Sequence, residues 1–115
     1  MKPSASRPPS PAALDRTFHA LSDASRRTMI DRLHAGPLSV SDLAAPLDMA
    51  MPSVMKHLAV LEDAGLVRSA KQGRIRTYAM TEDALTPVER WVASRRAMWS
   101  RNLDRLGIFL DETKG

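Results

Sequence analysis

The chain has 115 residues, of which 43% are apolar and 26% are charged, with a formal net charge of +4 and a sequence isoelectric point of about 10.1. This length allows one small domain, and the positive charge suits a polyanionic partner without requiring one. The lack of cysteine excludes disulfides, thiolate metal sites and cysteine nucleophiles. Because no apolar run is long enough to cross a membrane, we expect a cytoplasmic protein.

The chain begins with residues rich in proline and serine, and we predict a disordered tail over 1–11. The first helix is predicted over 12–21, because Leu14, Phe18 and Leu21 recur at the spacing of one helix face.

A second helix is predicted over 24–35, with Asp23 as its N-cap. Arg26 and Arg27 at its start oppose the helix dipole. A phosphate or an acidic partner would explain them, but we interpret both as part of a solvated surface.

A third helix is predicted over 40–47, with Ser39 as its cap and Asp42 three residues later. After a brief turn, a fourth helix is predicted over 52–64. Pro52 suits its first turn, and Gly65 suits the position just after its end. One apolar stripe of this fourth helix comprises Val54, Leu58 and Leu61.

The opposite face of the fourth helix carries Lys56 and has no acidic residue in its first two turns. Glu62 and Asp63 come only at its far end, so the N-terminal half can approach phosphates without like-charge repulsion. An ordinary amphipathic helix would show the same apolar stripe, so the following segment decides the interpretation.

Two strand-like runs, 66–71 and 74–80, follow at once and predict a hairpin with a loop at Gln72-Gly73, in which Lys71 pairs with Arg74. The tip is basic, since it carries Lys71, Arg74 and Arg76. A helix, a short turn, a second helix and a basic hairpin are the order of a winged helix-turn-helix, which reads DNA with its second helix.

The last helix is predicted over 86–110, and Thr86-Pro87-Val88-Glu89 is a strong helix start. Its apolar stripe is wider than a small domain can cover, which is typical of a surface that binds a partner. We predict a homodimer interface; the alternative is that this helix folds back on its own core.

At this point the sequence resembles the ArsR/SmtB family of small dimeric winged-helix repressors, over about residues 12–110. The residues that carry the resemblance are LSDASRRTMIDRL, LSVSDLA and MPSVMKHLAVLEDAGLVRSAKQGRIRTYAM. The resemblance implies a mainly α fold with about five helices and a two-stranded β-hairpin wing, and residues 111–115 would form a C-terminal tail. Dimerisation would use the first and last helices, through Leu14, Phe18, Leu21, Val88, Trp91, Val92, Trp99, Leu103, Leu106 and Leu110.

The resemblance also implies which residues contact double-stranded DNA. These are Met51, Ser53, Met55, Lys56 and His57 in the recognition helix, with Lys71, Arg74 and Arg76 in the wing. Two positions depart from the family pattern. Ala50 replaces a capping Ser or Thr, at a cost of about 1 kcal/mol, and Met55 replaces a Ser and can make only apolar contacts, for example with a thymine methyl.

No metal or other cofactor is expected. The family's arsenic sensors carry C-V-C-D where this chain has Ser39-Val40-Ser41-Asp42, and hydroxyls do not replace soft thiolates. Zinc sensors of the family use histidine on the last helix, which has none here.

These patterns favour a sequence-specific repressor that binds a near-palindromic operator as a homodimer. The alternative is a winged-helix module that binds proteins and no nucleic acid, although such modules usually lose the basic wing. An enzyme is the weakest candidate, because the chain has no glycine-rich phosphate loop and no recognisable nucleophile. Trp91, Met98 and Trp99 either pack at the dimer interface or line a pocket for a small organic effector.

Overall fold

The computed structural model describes residues 10–114, which by their internal contacts divide into two compact units, one ending at Leu85 and the other beginning at Thr86. The helices are α1 Pro11–Leu21, α2 Ala24–His34, α3 Val40–Ala44, α4 Met51–Asp63 and α5 Thr86–Lys114, and the strands are β1 Leu38–Ser39, β2 Val67–Gln72 and β3 Ile75–Met80. Of the N-terminal tail predicted over 1–11, residues 1–9 lie outside this description, while Ser10 and Pro11 begin α1.

The first three helices each begin with a side-chain cap. Ser10 Oγ accepts the N–H of Ala13, and Asp23 Oδ2 accepts the N–H of Arg26, both at 3.1 Å. Ser39 Oγ accepts the N–H of Asp42 at 3.2 Å. The caps predicted at Asp23 and Ser39 are therefore confirmed.

The third helix is shorter than predicted, because α3 ends at Ala44 and not at residue 47. Pro46 explains the difference: it has no N–H to donate, and its ring obstructs a continuing helix. The chain forms a tight turn there, in which Leu47 N–H donates to Ala44 O at 2.9 Å.

The sheet has three antiparallel strands in the order β1-β3-β2. The predicted two-stranded wing, formed by β2, β3 and their loop, is therefore extended by a third strand, β1. In β1, Leu38 lies opposite Tyr78 and Ser39 opposite Thr77. Two residues are too few to show the alternation that marks a strand, which is why the sequence pattern missed β1.

The register of the wing also differs from the prediction. Gln72 pairs with Ile75, so the loop is Gly73-Arg74, and Lys71 lies opposite Arg76 instead of Arg74. Gly73 adopts φ +64° at the first loop position. A two-residue turn with positive φ at its first position alone is of type II′, which places glycine first and not second.

The core of the first unit lies between the helices and the sheet. The predicted apolar stripe of α4 is confirmed, because Val54, Leu58 and Leu61 have no exposed surface. Burying a leucine side chain contributes about 2 kcal/mol, so this stripe strongly holds α4 in place. The other buried apolar residues are Ala20, Met29, Ile30, Leu33, Leu43, Leu66, Val67 and Tyr78.

The second unit consists of α5, which has 29 residues and extends to Lys114, beyond the predicted end at residue 110. Most of the exposed large apolar side chains described for the chain are on α5, and Trp99 is 60% exposed. Within residues 10–114, no helix is both long enough and apolar enough to cross a membrane.

Candidate nucleic-acid interface

The exposed face of α4 begins with residues that the sequence analysis assigned to DNA contact. Met51 is 46% exposed, Met55 and Lys56 are exposed, and Ser53 is half-buried. No acidic residue lies in the first turn of α4. This half of the helix therefore presents one cation and flexible apolar side chains, without a carboxylate to repel phosphate.

The N-terminus of α4 has no side-chain cap. Ala50 is the N-cap residue, with φ −66° and ψ 147°, and no side-chain hydrogen bond is made there. The predicted loss of this cap is confirmed. The position has the extended backbone of a normal N-cap, so only the oxygen-bearing side chain is missing.

The wing carries three exposed cations close together. Lys71 and Arg76 lie opposite each other across the two strands, and Arg74 is in the loop between them. Directly opposed like charges destabilise a strand pair. A polyanion that binds here relieves that repulsion.

Arg76 also connects the wing to α4. Its Nη1 donates to Ser69 Oγ at 2.9 Å, and Ser69 Oγ donates to Glu62 Oε2 at 3.0 Å. We call these three residues the wing junction. It joins β3, β2 and the end of α4 at the protein surface. The hairpin pattern places Ser69 and Arg76 on the same side of the wing, but it does not predict their link to Glu62, which belongs to a separate helix.

A cleft of about 350 Å³ lies between the start of α3 and the tip of the wing. It is lined by Ser39, Val40, Ser41, Arg74, Ile75 and Arg76. The positions where the arsenic sensors carry cysteine therefore lie beside the arginine-bearing part of the wing.

His57 differs in position from the other predicted DNA-contact residues of α4. Its Nδ1 lies 3.1 Å from Arg26 Nη1, and its Nε2 lies 3.9 Å from Asp23 Oδ2. We call Arg26, His57 and Asp23 the buried junction after its arginine, since the Asp23 side chain is 37% exposed. Its histidine side chain is only 20% exposed and lies on the side of α4 that contacts the start of α2.

Arg26 is 8% exposed, so the interpretation of this residue as part of a solvated surface is wrong. Its Nε donates to Ala20 O at 2.7 Å, and its Nη2 donates to His19 O at 2.9 Å. Arg27 remains exposed, but it also donates to the end of α1, at Leu21 O. The two arginines thus donate to carbonyls at the end of α1, where a helix leaves its last carbonyls without intrahelical partners. His19 O also accepts from the N–H and the hydroxyl of Ser22.

The sequence did contain a signal for this arrangement. Only Ser22 and Asp23 separate α1 from α2, so side chains in the first turn of α2 lie close to the last carbonyls of α1. The carboxylate of Asp23 accepts the backbone N–H of Arg26 and lies near His57 and the Arg26 guanidinium, and these contacts hold the pKa of Asp23 below its ordinary value against the opposing effect of desolvation.

The predicted dimer residues fall into two groups. Leu14 and Leu21 of α1 are half-buried, and Phe18 is exposed. On α5, Val88 and Trp91 are half-buried, and the guanidinium of Arg95 lies 5.0 Å from the ring centroid of Trp91. The remaining predicted residues of α5 are exposed: Val92, Trp99, Leu103, Leu106 and Leu110.

Metal binding was not expected from the sequence. Among the residues that the structure describes, no three His, Cys, Asp or Glu side chains are grouped so that they could hold a metal ion.

Comparison with known proteins identifies the family. Residues 21–70 match a family described as a helix-turn-helix domain. The HTH-type transcriptional regulator Rv2034 of Mycobacterium tuberculosis is 34% identical over 97 residues, which are 84% of this chain and 88% of that relative. The crystal structure of an ArsR family transcriptional regulator, RHA00566, is 46% identical, with a TM-score of 0.77 over 82% of this chain and 97% of that one. The chain belongs to the ArsR family.

As an ArsR-family protein, the chain is a DNA-binding transcriptional regulator with a winged helix-turn-helix fold, and it is not an enzyme. The resemblance stated from the sequence is confirmed. The transcriptional repressor SdpR of Bacillus subtilis is a more distant relative, 27% identical over 79 residues, which are 69% of this chain and 88% of SdpR.

Proposed function

We propose that this ArsR-family regulator is a repressor that binds a near-palindromic operator as a homodimer. The main support for the proposed DNA-binding surface is the cluster of cations on the wing. Lys71 lies opposite Arg76, and Arg74 is in the loop between the two strands. Alongside it, the first turns of α4 expose Met51, Met55 and Lys56 and lack acidic residues.

The proposed contacts divide into two kinds. Lys56 and the wing cations neutralise phosphates, which gives affinity without sequence information. Ser53 and Met55 lie at base edges, where a hydroxyl reads hydrogen-bonding groups and a thioether side chain contacts a thymine methyl. Repression rather than activation is proposed from the relationship to SdpR.

The homodimer is proposed from α5. Along one face of this helix, Trp99, Leu103, Leu106 and Leu110 are exposed at helical spacing. In a two-fold dimer, this face would pack against the same face of the second copy. Phe18 on α1 is proposed to add to the interface, and a two-fold dimer would present two recognition helices to two half-sites.

DNA recognition is tested by selecting duplexes from a random-sequence library with the wild-type protein. We expect enrichment of one near-palindromic sequence, whose binding weakens steeply as salt rises from about 50 to 200 mM. Recovery of no preferred sequence, with equal weak binding to all duplexes, would contradict an operator-specific repressor.

The DNA face is tested with Lys56→Ala and Arg74→Ala, and Arg101→Ala on α5 is the matched control. Each of the first two variants should weaken binding to every duplex and lower the salt slope by about one. The control removes the same charge from the side of α5 away from the apolar face and should leave the slope unchanged. Equal slopes in all variants would refute this placement of the DNA face.

The dimer is tested with Leu103→Asp, and Ala97→Asp is its control about 120° round the same helix. A carboxylate buried in the apolar interface should raise the dimer dissociation constant roughly 100-fold, or about 3 kcal/mol. Sedimentation velocity would then give a monomer for Leu103→Asp and a dimer for the control. A dimer in both variants would exclude this face of α5 as the interface.

A further inference from the structure

We propose that Arg26 is a positioning residue for DNA binding, which fixes the orientation of the recognition helix α4 through its hydrogen bond to His57. This inference rests on the proposed function and adds a role for residues that are not placed against DNA. Under this proposal, His57 accepts a hydrogen bond from Arg26 and does not contact base edges.

The first step is the geometry of the Arg26 side chain. A guanidinium is planar and presents its donors in a rigid fork. Here the fork is divided between two helices: Nε and Nη2 donate to Ala20 O and His19 O of α1, and Nη1 lies 3.1 Å from His57 Nδ1 of α4. One rigid group therefore sets the end of α1 and the middle of α4 at fixed positions relative to each other.

The second step is the protonation state of His57. Arginine has donors only, so Nδ1 must accept, and the neutral ring carries its proton on Nε2. That N–H lies on the side of Asp23, whose Oδ2 is 3.9 Å from Nε2. The hydrogen bond that joins α4 to Arg26 therefore exists only while the imidazole is neutral.

Lys56 precedes His57 on α4, and its side chain is exposed. Other charged groups lie farther along the helix: Arg16 and His19 of α1 line a separate cleft with Val60 and Asp63, and Glu62 contacts Ser69 of β2 near the end of α4. The contacts that orient the middle of α4 are therefore those of His57 with Arg26 and Asp23.

The experiment compares wild type with His57→Asn, His57→Leu and Arg26→Lys. Asparagine places Oδ1 at the position of Nδ1, so it keeps the acceptor. Leucine removes the acceptor. Lysine keeps the charge but replaces the planar fork with a flexible ammonium group. Binding to the duplex that the wild-type protein selects is measured by fluorescence anisotropy, and circular dichroism checks that each variant is folded.

We expect His57→Asn to bind within a few-fold of wild type, because it keeps the acceptor for Arg26. Folded His57→Leu should bind about tenfold more weakly, and folded Arg26→Lys should lose at least about tenfold. Duplex selection with His57→Asn should return the sequence that the wild-type protein prefers.

Two results would overturn the inference while leaving the proposed function intact. One is wild-type affinity in folded His57→Leu or in folded Arg26→Lys. The other is a changed preferred sequence with His57→Asn, which would place His57 at a base edge. Failure of the proposed function is recognised separately, because the wild-type protein would then select no duplex at all.

Discussion

Two polar junctions hold α4, and they differ mainly in their exposure to water. The buried junction links His57 to Arg26 and Asp23, while the wing junction links Glu62 to Ser69 and Arg76. Each combines an arginine, a polar intermediate and a carboxylate. Arg26 is 8% exposed, whereas the Arg76 side chain lies in solvent.

This difference determines what each junction can do. A buried guanidinium that loses its acceptors keeps the cost of desolvation, so the buried junction is stable only when its geometry is complete. An exposed arginine exchanges a protein acceptor for water at little cost. We therefore expect α4 to be fixed on the α1–α2 side and the wing to adjust to DNA.

The largest expected effect on stability comes from Arg26→Ala. The variant leaves the Ala20 carbonyl and the Nδ1 of His57 without the Arg26 donor, while His19 O keeps its hydrogen bonds from Ser22. We expect a loss of about 3 kcal/mol in the free energy of unfolding. Urea denaturation measures it. If Arg26→Ala lowered the free energy of unfolding by no more than the loss of a surface arginine does, the two junctions would not differ in how firmly they hold α4.

A smaller effect, of opposite sign, is expected from Ala50→Ser. The Ser53 N–H now donates to the Ala50 carbonyl at 3.0 Å. A serine hydroxyl at position 50 can accept the same N–H, as the caps of α1, α2 and α3 do three residues ahead, and should stabilise the protein by at most about 1 kcal/mol. Ala59→Ser, at an exposed position inside the same helix, should be slightly destabilising. If thermal unfolding midpoints rise equally in both variants, capping is not the cause.

Arg76→Ala should change the free energy of unfolding by no more than about 0.5 kcal/mol, because its hydrogen bond to Ser69 is exposed. The same variant should still weaken DNA binding and reduce the salt slope by about one. A loss of stability close to that of Arg26→Ala would show that the wing junction, too, is a rigid attachment.

The smallest effect concerns Asp23→Asn and depends on pH. Because the N–H of Arg26, together with the nearby positive groups, holds the pKa of Asp23 below its ordinary value, the ionised carboxylate stabilises the folded state. That contribution is complete above the ordinary aspartate pKa and is lost as pH falls through the lowered pKa. The urea midpoint of the variant should therefore lie below that of wild type near neutral pH.

The two midpoints should converge in acid. Asp104→Asn, which removes the same charge from α5, is the control for the change in net charge. A difference between wild type and Asp23→Asn that stays constant down to strongly acidic pH would exclude this linkage.

The sequence predicted those features that depend on periodicity within one element. The stripe of Val54, Leu58 and Leu61 and the caps at Asp23 and Ser39 need only local spacing and local hydrogen bonds, and all are confirmed. The family resemblance was equally accessible, since its motifs are continuous in the chain.

What the sequence did not predict depends on contacts between distant elements or on single residues that override a pattern. His57 lies 31 residues after Arg26, and no periodicity connects them. The end of α3 depends on Pro46 and the wing register on the position of Gly73, although the hairpin itself was expected. The apolar pattern alone could not decide either feature.

The short strand β1 has a consequence for how the wing can vary in length. Because Leu38 and Ser39 pair with Tyr78 and Thr77, the base of β3 is anchored independently of the loop at Gly73-Arg74. Successive residues of a strand point to opposite faces of the sheet. One extra residue in β3 alone must bulge out, because β2 offers it no partner. One extra residue in each strand keeps the strands paired and Tyr78 in the core, but it turns the residues beyond the insertion to the other face. Wings of different reach that keep their cations on one face can therefore be built on this base only in steps of two residues in each strand.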